Sequence, residues 1–238
     1  MKIHLTTVAH GPAEAFAASY LRLFSSINTK FDSIVVVDNH WPINKEANTK
    51  SIAVIAESVG AKLVRPEGGN IGGHQGGNLA ISHLQLADDD LMLGFDYDSY
   101  PVTPGWLEAM IDGMKFSNLD SLHLLHSDIK EIHEKRGTKW SVNEYGGVRV
   151  GTLPHPEMFN LTIWRGAWLK QHPMVGQGFY GHIESMTHGY NNHGYTVDFL
   201  EGHNPVFIPP TYQDWKRAHA GGNYLGNFDA WCRERRIF

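Results

Sequence analysis

The chain of 238 residues has a single cysteine, Cys232. No internal disulfide can form, and a reducing, cytoplasmic compartment is the simpler expectation. Excess positive charge is also lacking. A net charge of −5 and a pI near 6.3 argue against a surface that coats nucleic-acid phosphates. Arg233, Arg235 and Arg236 gather near the end, but Glu234 lies between them. That reads as a solvated tail, with weak attraction to an anionic membrane left open. No apolar stretch approaches spanning length, and Met1 to Leu5 runs into a strand-like segment without a secretory pattern. His-Glu-x-x-His is missing too, and the glycine-rich loop at 68–78 does not satisfy G-x-G-x-x-G and is followed by no Gly-Lys-Ser/Thr, so it supports neither a dinucleotide fingerprint nor a P-loop. There is no repeat, linker or low-complexity boundary; one domain with an embellished second half is expected.

What is present is an ordinary globular composition, 42% hydrophobic and 19% charged, arranged as alternating strands and helices. Ile3 to Val8 reads as a strand, broken by Ala9-His10-Gly11-Pro12. Phe16, Tyr20, Leu21 and Phe24 recur at helical spacing within 13–25. Ser33 to Asp38 is β-branched and continuous, the pattern of a strand buried on both faces. Lys45 to Val59 predicts a helix stopped by Gly60, and Ala61 to Val64 a further strand. A glycine-rich segment, Gly68 to Asn78, leads into a helix expected over 79–86. The next strand, Leu91 to Phe95, stops at Asp96-Tyr97-Asp98. The spacing implies parallel crossovers, hence an α/β sheet with helices on both faces and ligands at the carboxyl ends of its strands. Asp38, Arg65, Asp96 and Asp98 all fall at such ends.

The second half is less regular. A helix is expected from Pro104 to Phe116, strands at 121–126, 159–164 and 195–200, a hairpin at 143–147 and a short helix over 182–193.

Several residues carry chemistry. Asp96 and Asp98, two apart on an extended chain, can point the same way and hold Mg²⁺ or Mn²⁺, or can simply cap turn amides. The glycine segment can let backbone approach a ligand, with Asn70, Gln75 and Asn78 hydrogen-bonding it, or can be a plain turn. Glu184, entering a helix after an aromatic loop, suits a general base or a favourable partner for the helix dipole. Among fifteen histidines most read as surface or packing residues. His219 can complete a carboxylate metal shell, and His203 competes for that role. Trp106, Trp164, Trp168 and Tyr180 can stack on sugars, although aromatics fill cores more often.

Four segments in order, 34–39, 65–78, 95–107 and 178–195, make the chain resemble the GT-A glycosyltransferases, especially the family 2 inverting enzymes of bacterial polysaccharide biosynthesis. The resemblance implies a mixed α/β sheet flanked by helices, residues 1–100 binding the nucleotide-sugar and 101–238 the acceptor. It implies a hexosyltransferase type of reaction, from a UDP- or dTDP-type sugar donor to a hydroxyl of a saccharide or glycan precursor, with Mn²⁺ or Mg²⁺. Thr7 and Asp38 would flank base or ribose, and Arg65, Asn70, Gly72 and Asn78 would line nucleotide and sugar. Asp96 and Asp98 would hold the metal, with His219 as a late ligand, and Glu184 would take the acceptor proton. The chain departs from the family where an acidic pair is usual: it has His182-Ile183-Glu184. Glu184 is preferred as base and His182 is the alternative. Two rivals are a nucleotidyltransferase, which would need a basic glycine loop after the first strand, and a non-catalytic sugar-nucleotide-binding protein.

Overall fold

The computed structural model describes residues 1–41, 44–97, 99–126, 141–152, 161–172 and 192–203. They form one ten-stranded sheet. Its first half is parallel: β1 (Ile3–Ala9) lies between β2 (Ser33–Asp38) and β4 (Leu91–Asp96), with β3 (Lys62–Val64) outside β2. Beyond β4 the sheet turns mixed, through β9 (Leu161–Arg165), β6 (Ser121–His126), β10 (His193–His203), β8 (Val148–Thr152) and β7 (Ser141–Tyr145). A short β5 (Ser99–Pro101) pairs antiparallel with β10.

Two faces are packed. On one, α1 (Ala13–Ser25), α2 (Lys45–Ser58) and α4 (Trp106–Lys115) cover Leu5, Val36, Leu93, Phe95 and Ile163. On the other, α3 (Gly73–Ser82) lies over Val35 and Val37, and α5 (Gly166–Gln171) brings Trp168 and Leu169 to Met92 and Trp164. The alternation along β4 assigns Leu91, Leu93 and Phe95 to the first face and Met92 to the second. Trp106, Trp164 and Trp168 are all core residues, so the sugar-stacking alternative fails for these three. Tyr180 lies outside the described residues.

Polar clamps hold the sheet ends. Asp90 accepts the Lys2 amide at 2.6 Å and the Ala87 amide at 2.8 Å, beside His4. Burial works against its ionisation, but those amides and His4 outweigh it and keep its carboxyl below the usual value. Arg165, at the end of β9, donates to the carbonyl of Met114 in the last turn of α4 and to those of Ser117 and Leu119 in the segment that follows. A buried chain of Thr162, His123, Ser121 and His193, with contacts of 2.5–2.7 Å, crosses β9, β6 and β10. These histidines pack in the interior, and His123 and Trp164 meet edge to face.

Most expected elements form, with instructive differences. Helix α3 starts at Gly73 and not at 79, six residues inside the glycine-rich segment. Glycine has poor helix propensity, but here Gly76 lets the helix press onto β1: an added Cβ would lie 2.7 Å from Val8 Cγ1. Helix α4 starts at Trp106, after Gly105 in the left-handed region, so Pro104 precedes it. The hairpin forms, with Gly146 and Gly147 both at positive φ, as a tight two-residue turn requires. Elements β5 and α5 were not expected, since three and six residues carry no readable period. The expected helix over 182–193 lies mostly outside the described residues.

Candidate functional site

Strand order reverses at β1: the chain builds outward through β2 and β3 on one side, then returns to place β4 on the other. A crevice opens at such a switch point, outside the carboxyl ends of the strands. Register sets what borders it. Ala9 is opposite Asp38 and Val8 opposite Asp96, so the acidic ends of β2 and β4 flank the end of β1.

Asp38 is fully buried and its carboxylate is engaged. Oδ2 accepts from Arg65 Nε at 3.1 Å, and Oδ1 from the His40 amide at 3.4 Å. An unpaired charge there would be strongly unfavourable, and Arg65 removes that penalty. Arg65 is 42% exposed against 0% for Asp38, so the guanidinium and not the carboxylate borders solvent. Its Nη2 also donates to the Thr49 carbonyl at 3.3 Å. His40 adopts a left-handed backbone, φ 53°, and contacts the Pro66 carbonyl through Nε2 at 3.1 Å. Such conformations are uncommon for a residue with a Cβ and collect at functional loops.

The glycine segment is tied to the end of β2. Asn39 Nδ2 donates to Asn70 Oδ1 at 2.8 Å, and Asn39 Oδ1 accepts the Ile71 amide at 2.9 Å. Asn70 Oδ1 also accepts the Gly72 amide at 2.8 Å. Gly72, at φ 84°, is the residue before α3, a backbone conformation that favours glycine. His74, in the first turn, is largely buried, and burial lowers its pKa. Asn78 follows in the second turn, half-buried. Thr7 is buried within β1 and its hydroxyl donates to the Phe95 carbonyl, so it acts on the crevice by fixing β4.

The far wall is the end of β4. Asp96 is its last residue and is exposed. Tyr97 then turns back over the loop after β1, where a Cβ on Gly11 would fall 1.9 Å from the ring. That loop is held from α2 as well: Asn48 Oδ1 accepts the Ala13 amide at 2.6 Å, and its Nδ2 donates to the Gly11 carbonyl at 3.2 Å. At the end of β10, His203 is the register partner of Ser99, the residue after Asp98. Nearby, the buried Glu201 accepts the Leu161 amide at 2.8 Å.

Of the expected site residues, Asp38, Arg65, Asn70, Gly72, Asn78, Thr7 and Asp96 thus surround one strand end. Asp98, His182, Glu184 and His219 lie outside the described residues. Among the described residues no three His, Cys, Asp or Glu side chains converge to hold a metal, and no helix is long and apolar enough to cross a membrane. His10, Asn39, Asn48 and Glu201 border the same end of the sheet without having been singled out. For Asn39 a signal existed, since a polar residue directly after Asp38 at a buried strand end must find a partner. Asn48 and Glu201 lie within a helix and a strand, and nothing local marks them.

No protein-family model matches the chain, and no curated protein sequence does. Solved structures do. S. aureus TarS residues 1–349 in complex with UDP superpose with a TM-score of 0.59 at 15% identity, covering 86% of this chain and 61% of that one. A mannosyltransferase from Pyrobaculum calidifontis in complex with GDP-Man and Mn²⁺ gives 0.55 at 12% identity, covering 82% and 56%. Glucosyl-3-phosphoglycerate synthase from Mycobacterium tuberculosis, in complex with Mn²⁺, UDP and glucosyl-3-phosphoglycerate, gives 0.54 at 11% identity, covering 85% and 72%. The chain therefore spans less than two thirds of the length of the first two. At these identities the likeness is one of fold.

Proposed function

The chain has the GT-A fold of the nucleotide-sugar transferases, and on that premise we propose that it moves a hexosyl group from a nucleoside-diphosphate sugar to a hydroxyl acceptor. One observation carries this: Asp38 with Arg65, the glycine segment and Asp96 gather at the end of β1, on both sides of the strand-order reversal. Fold alone would not support an activity; this placement of chemistry does.

On this reading the donor's nucleoside lies against Arg65 and the glycine segment, with Asp38 acting through the guanidinium that it holds. Asn70 and Gly72 bring backbone close to nucleotide and sugar, and Asn78 stands behind them. Asp96, at the crevice rim, and Asp98 would supply hard oxygen ligands, a donor set that fits Mn²⁺ or Mg²⁺. His219 completes the shell as a third ligand, with His203 as the alternative. A divalent ion there supplies positive charge for the leaving diphosphate. Glu184, or His182 in its place, accepts the proton of the acceptor hydroxyl as that oxygen bonds to the anomeric carbon. The bond to the diphosphate oxygen breaks on the opposite face, which inverts the configuration. The donor is of UDP or dTDP type and the acceptor a saccharide or glycan precursor, as in cytoplasmic polysaccharide biosynthesis by a single-domain enzyme.

Thermal unfolding with UDP, dTDP and GDP, each with and without Mn²⁺, tests the proposal. A ligand at a hundredfold excess over its Kd adds about 2.7 kcal/mol, which for a chain of this size raises Tm by roughly 5–10 °C. That shift should need Mn²⁺ and disappear in Asp98→Asn. Glu184→Gln should keep the shift and lose sugar transfer. Absence of any shift from a folded protein would sink the proposal.

A further inference from the structure

Three segments border the crevice beside β1 and β2: the loop after β1, the end of β2 and the glycine segment. One imidazole joins all three. His10 Nδ1 lies 3.1 Å from the Asn39 carbonyl oxygen, and Nε2 lies 3.3 Å from Asn70 Nδ2. A carbonyl oxygen can only accept, so Nδ1 carries the ring proton. The orientation of Asn70 follows independently, because its Oδ1 accepts both the Gly72 amide and Asn39 Nδ2, each at 2.8 Å. Its NH₂ group therefore faces His10, and Nε2 must accept. These two bonds fit one tautomer, the neutral ring protonated on Nδ1. A proton on Nε2 would face another N–H donor, and Asn70 cannot turn over without breaking two bonds.

The rest of the surroundings hold this ring in place. Its plane meets Trp41 edge to face, with centroids 5.4 Å apart. The backbone next to it is anchored by Asn48 from α2 and by the Tyr97 ring against Gly11. His10 thus connects an anchored loop to the glycine segment, whose Gly68, Gly69 and Gly72 all have positive φ. Glycine-rich backbone of this kind holds one conformation only when its neighbours impose it.

We infer that His10, as its Nδ1-protonated neutral tautomer, is a positioning residue for donor binding: it fixes the Asn39–Asn70 pair and through it the backbone that receives the nucleotide-sugar. This rests on the function proposed above. His10 takes no part in the bond-making step, so its removal weakens donor binding and leaves turnover of bound donor alone.

The test has two arms. In the first, ¹⁵N NMR of the histidine-labelled, ligand-free protein at neutral pH identifies His10 by the signal lost in His10→Phe. Nδ1 should show a protonated-type shift and Nε2 an unprotonated one; the opposite tautomer or an imidazolium overturns the inference. This arm uses the unmodified protein and stands even if the variant folds poorly. In the second, UDP and dTDP with Mn²⁺ are titrated into both proteins. His10→Phe keeps an aromatic ring beside Trp41 but loses both hydrogen bonds. The Kd, and the KM for the matching donor, should rise about tenfold, the scale of one or two neutral hydrogen bonds, with kcat unchanged. Equal affinity, or a loss confined to kcat, overturns the inference. No binding by the wild-type protein instead overturns the proposed function, while the tautomer and the amide exchange of Ile71 and Gly72 still report whether His10 orders the segment.

Discussion

Gly76→Ala sets two effects of known sign against each other. At the fourth position of α3, alanine favours the helix by up to about 1 kcal/mol over glycine. Against that, the new Cβ would lie 2.7 Å from Val8 Cγ1 and 3.1 Å from Cγ2, and overpacking of this kind costs about 1–3 kcal/mol. The helix must lift from β1 or Val8 must leave its rotamer. A net loss of about 1 kcal/mol is expected, lowering Tm by about 2–4 °C for a chain of this length. In a Val8→Ala background both γ-methyls are gone, and the nearest remaining atom of that side chain is Cβ at 3.5 Å, an ordinary contact. There the propensity gain acts alone, so the same substitution should raise Tm by a similar amount. Thermal melts of the four proteins in this double-mutant cycle measure the reversal. Because Gly72 immediately precedes α3 and Gly73 begins it, Gly76→Ala should also weaken UDP binding, and Val8→Ala should restore part of it. One sign of the Gly76→Ala effect in both backgrounds would refute the argument that Val8 sets the helix–sheet distance.

Asp90→Ala removes the acceptor of the part-buried hydrogen bonds from the Lys2 and Ala87 amides and should cost about 1–2 kcal/mol in denaturant unfolding. Since the folded-state pKa of Asp90 is lowered, its contribution is complete above the unfolded carboxylate value of about 3.9. It fades as pH falls through the lower folded value, so the variant should lose less stability than wild type across that acid window. Arg65→Ala leaves Asp38 buried without its ion-pair partner. With Arg65 42% exposed, the loss should be about 2 kcal/mol, below that of a fully buried pair, and Asp38→Asn in the same background should recover part of it. Exchanging His123 for leucine breaks the contacts to Ser121 and Thr162. It should destabilise by about 1–3 kcal/mol without altering UDP affinity, which calorimetry can check; a loss of affinity would tie that buried network to the site.

The strands and helices of the first half were legible because burial writes itself into short-range pattern. Val35, Val36 and Val37 must be apolar together because β2 is covered on both faces, and α1 shows Phe16 and Tyr20 at helical spacing for the one face that it buries, although Leu21, read into the same stripe, is exposed and Leu23 is buried instead. Asp38, Arg65 and Asp96 stood out because charge at the end of an apolar strand is unusual in itself. The start of α3 was not legible, since glycine disfavours helix locally and only the fit of Gly76 against Val8 reverses that.

Sequence by itself determined the alternation of elements, the likeness to the GT-A enzymes and the identity of the acidic strand ends, all set within a few residues of chain. Tertiary structure decided which of these groups meet. It buried Asp38 behind Arg65, sent three tryptophans to the core, brought the end of β10 beside β5 and closed His10, Asn39 and Asn70 into one hydrogen-bonded ring. Residues 10, 39 and 70 are far apart along the chain. Their meeting depends on strand order and register, which are properties of the whole sheet and leave no mark on any short stretch of sequence.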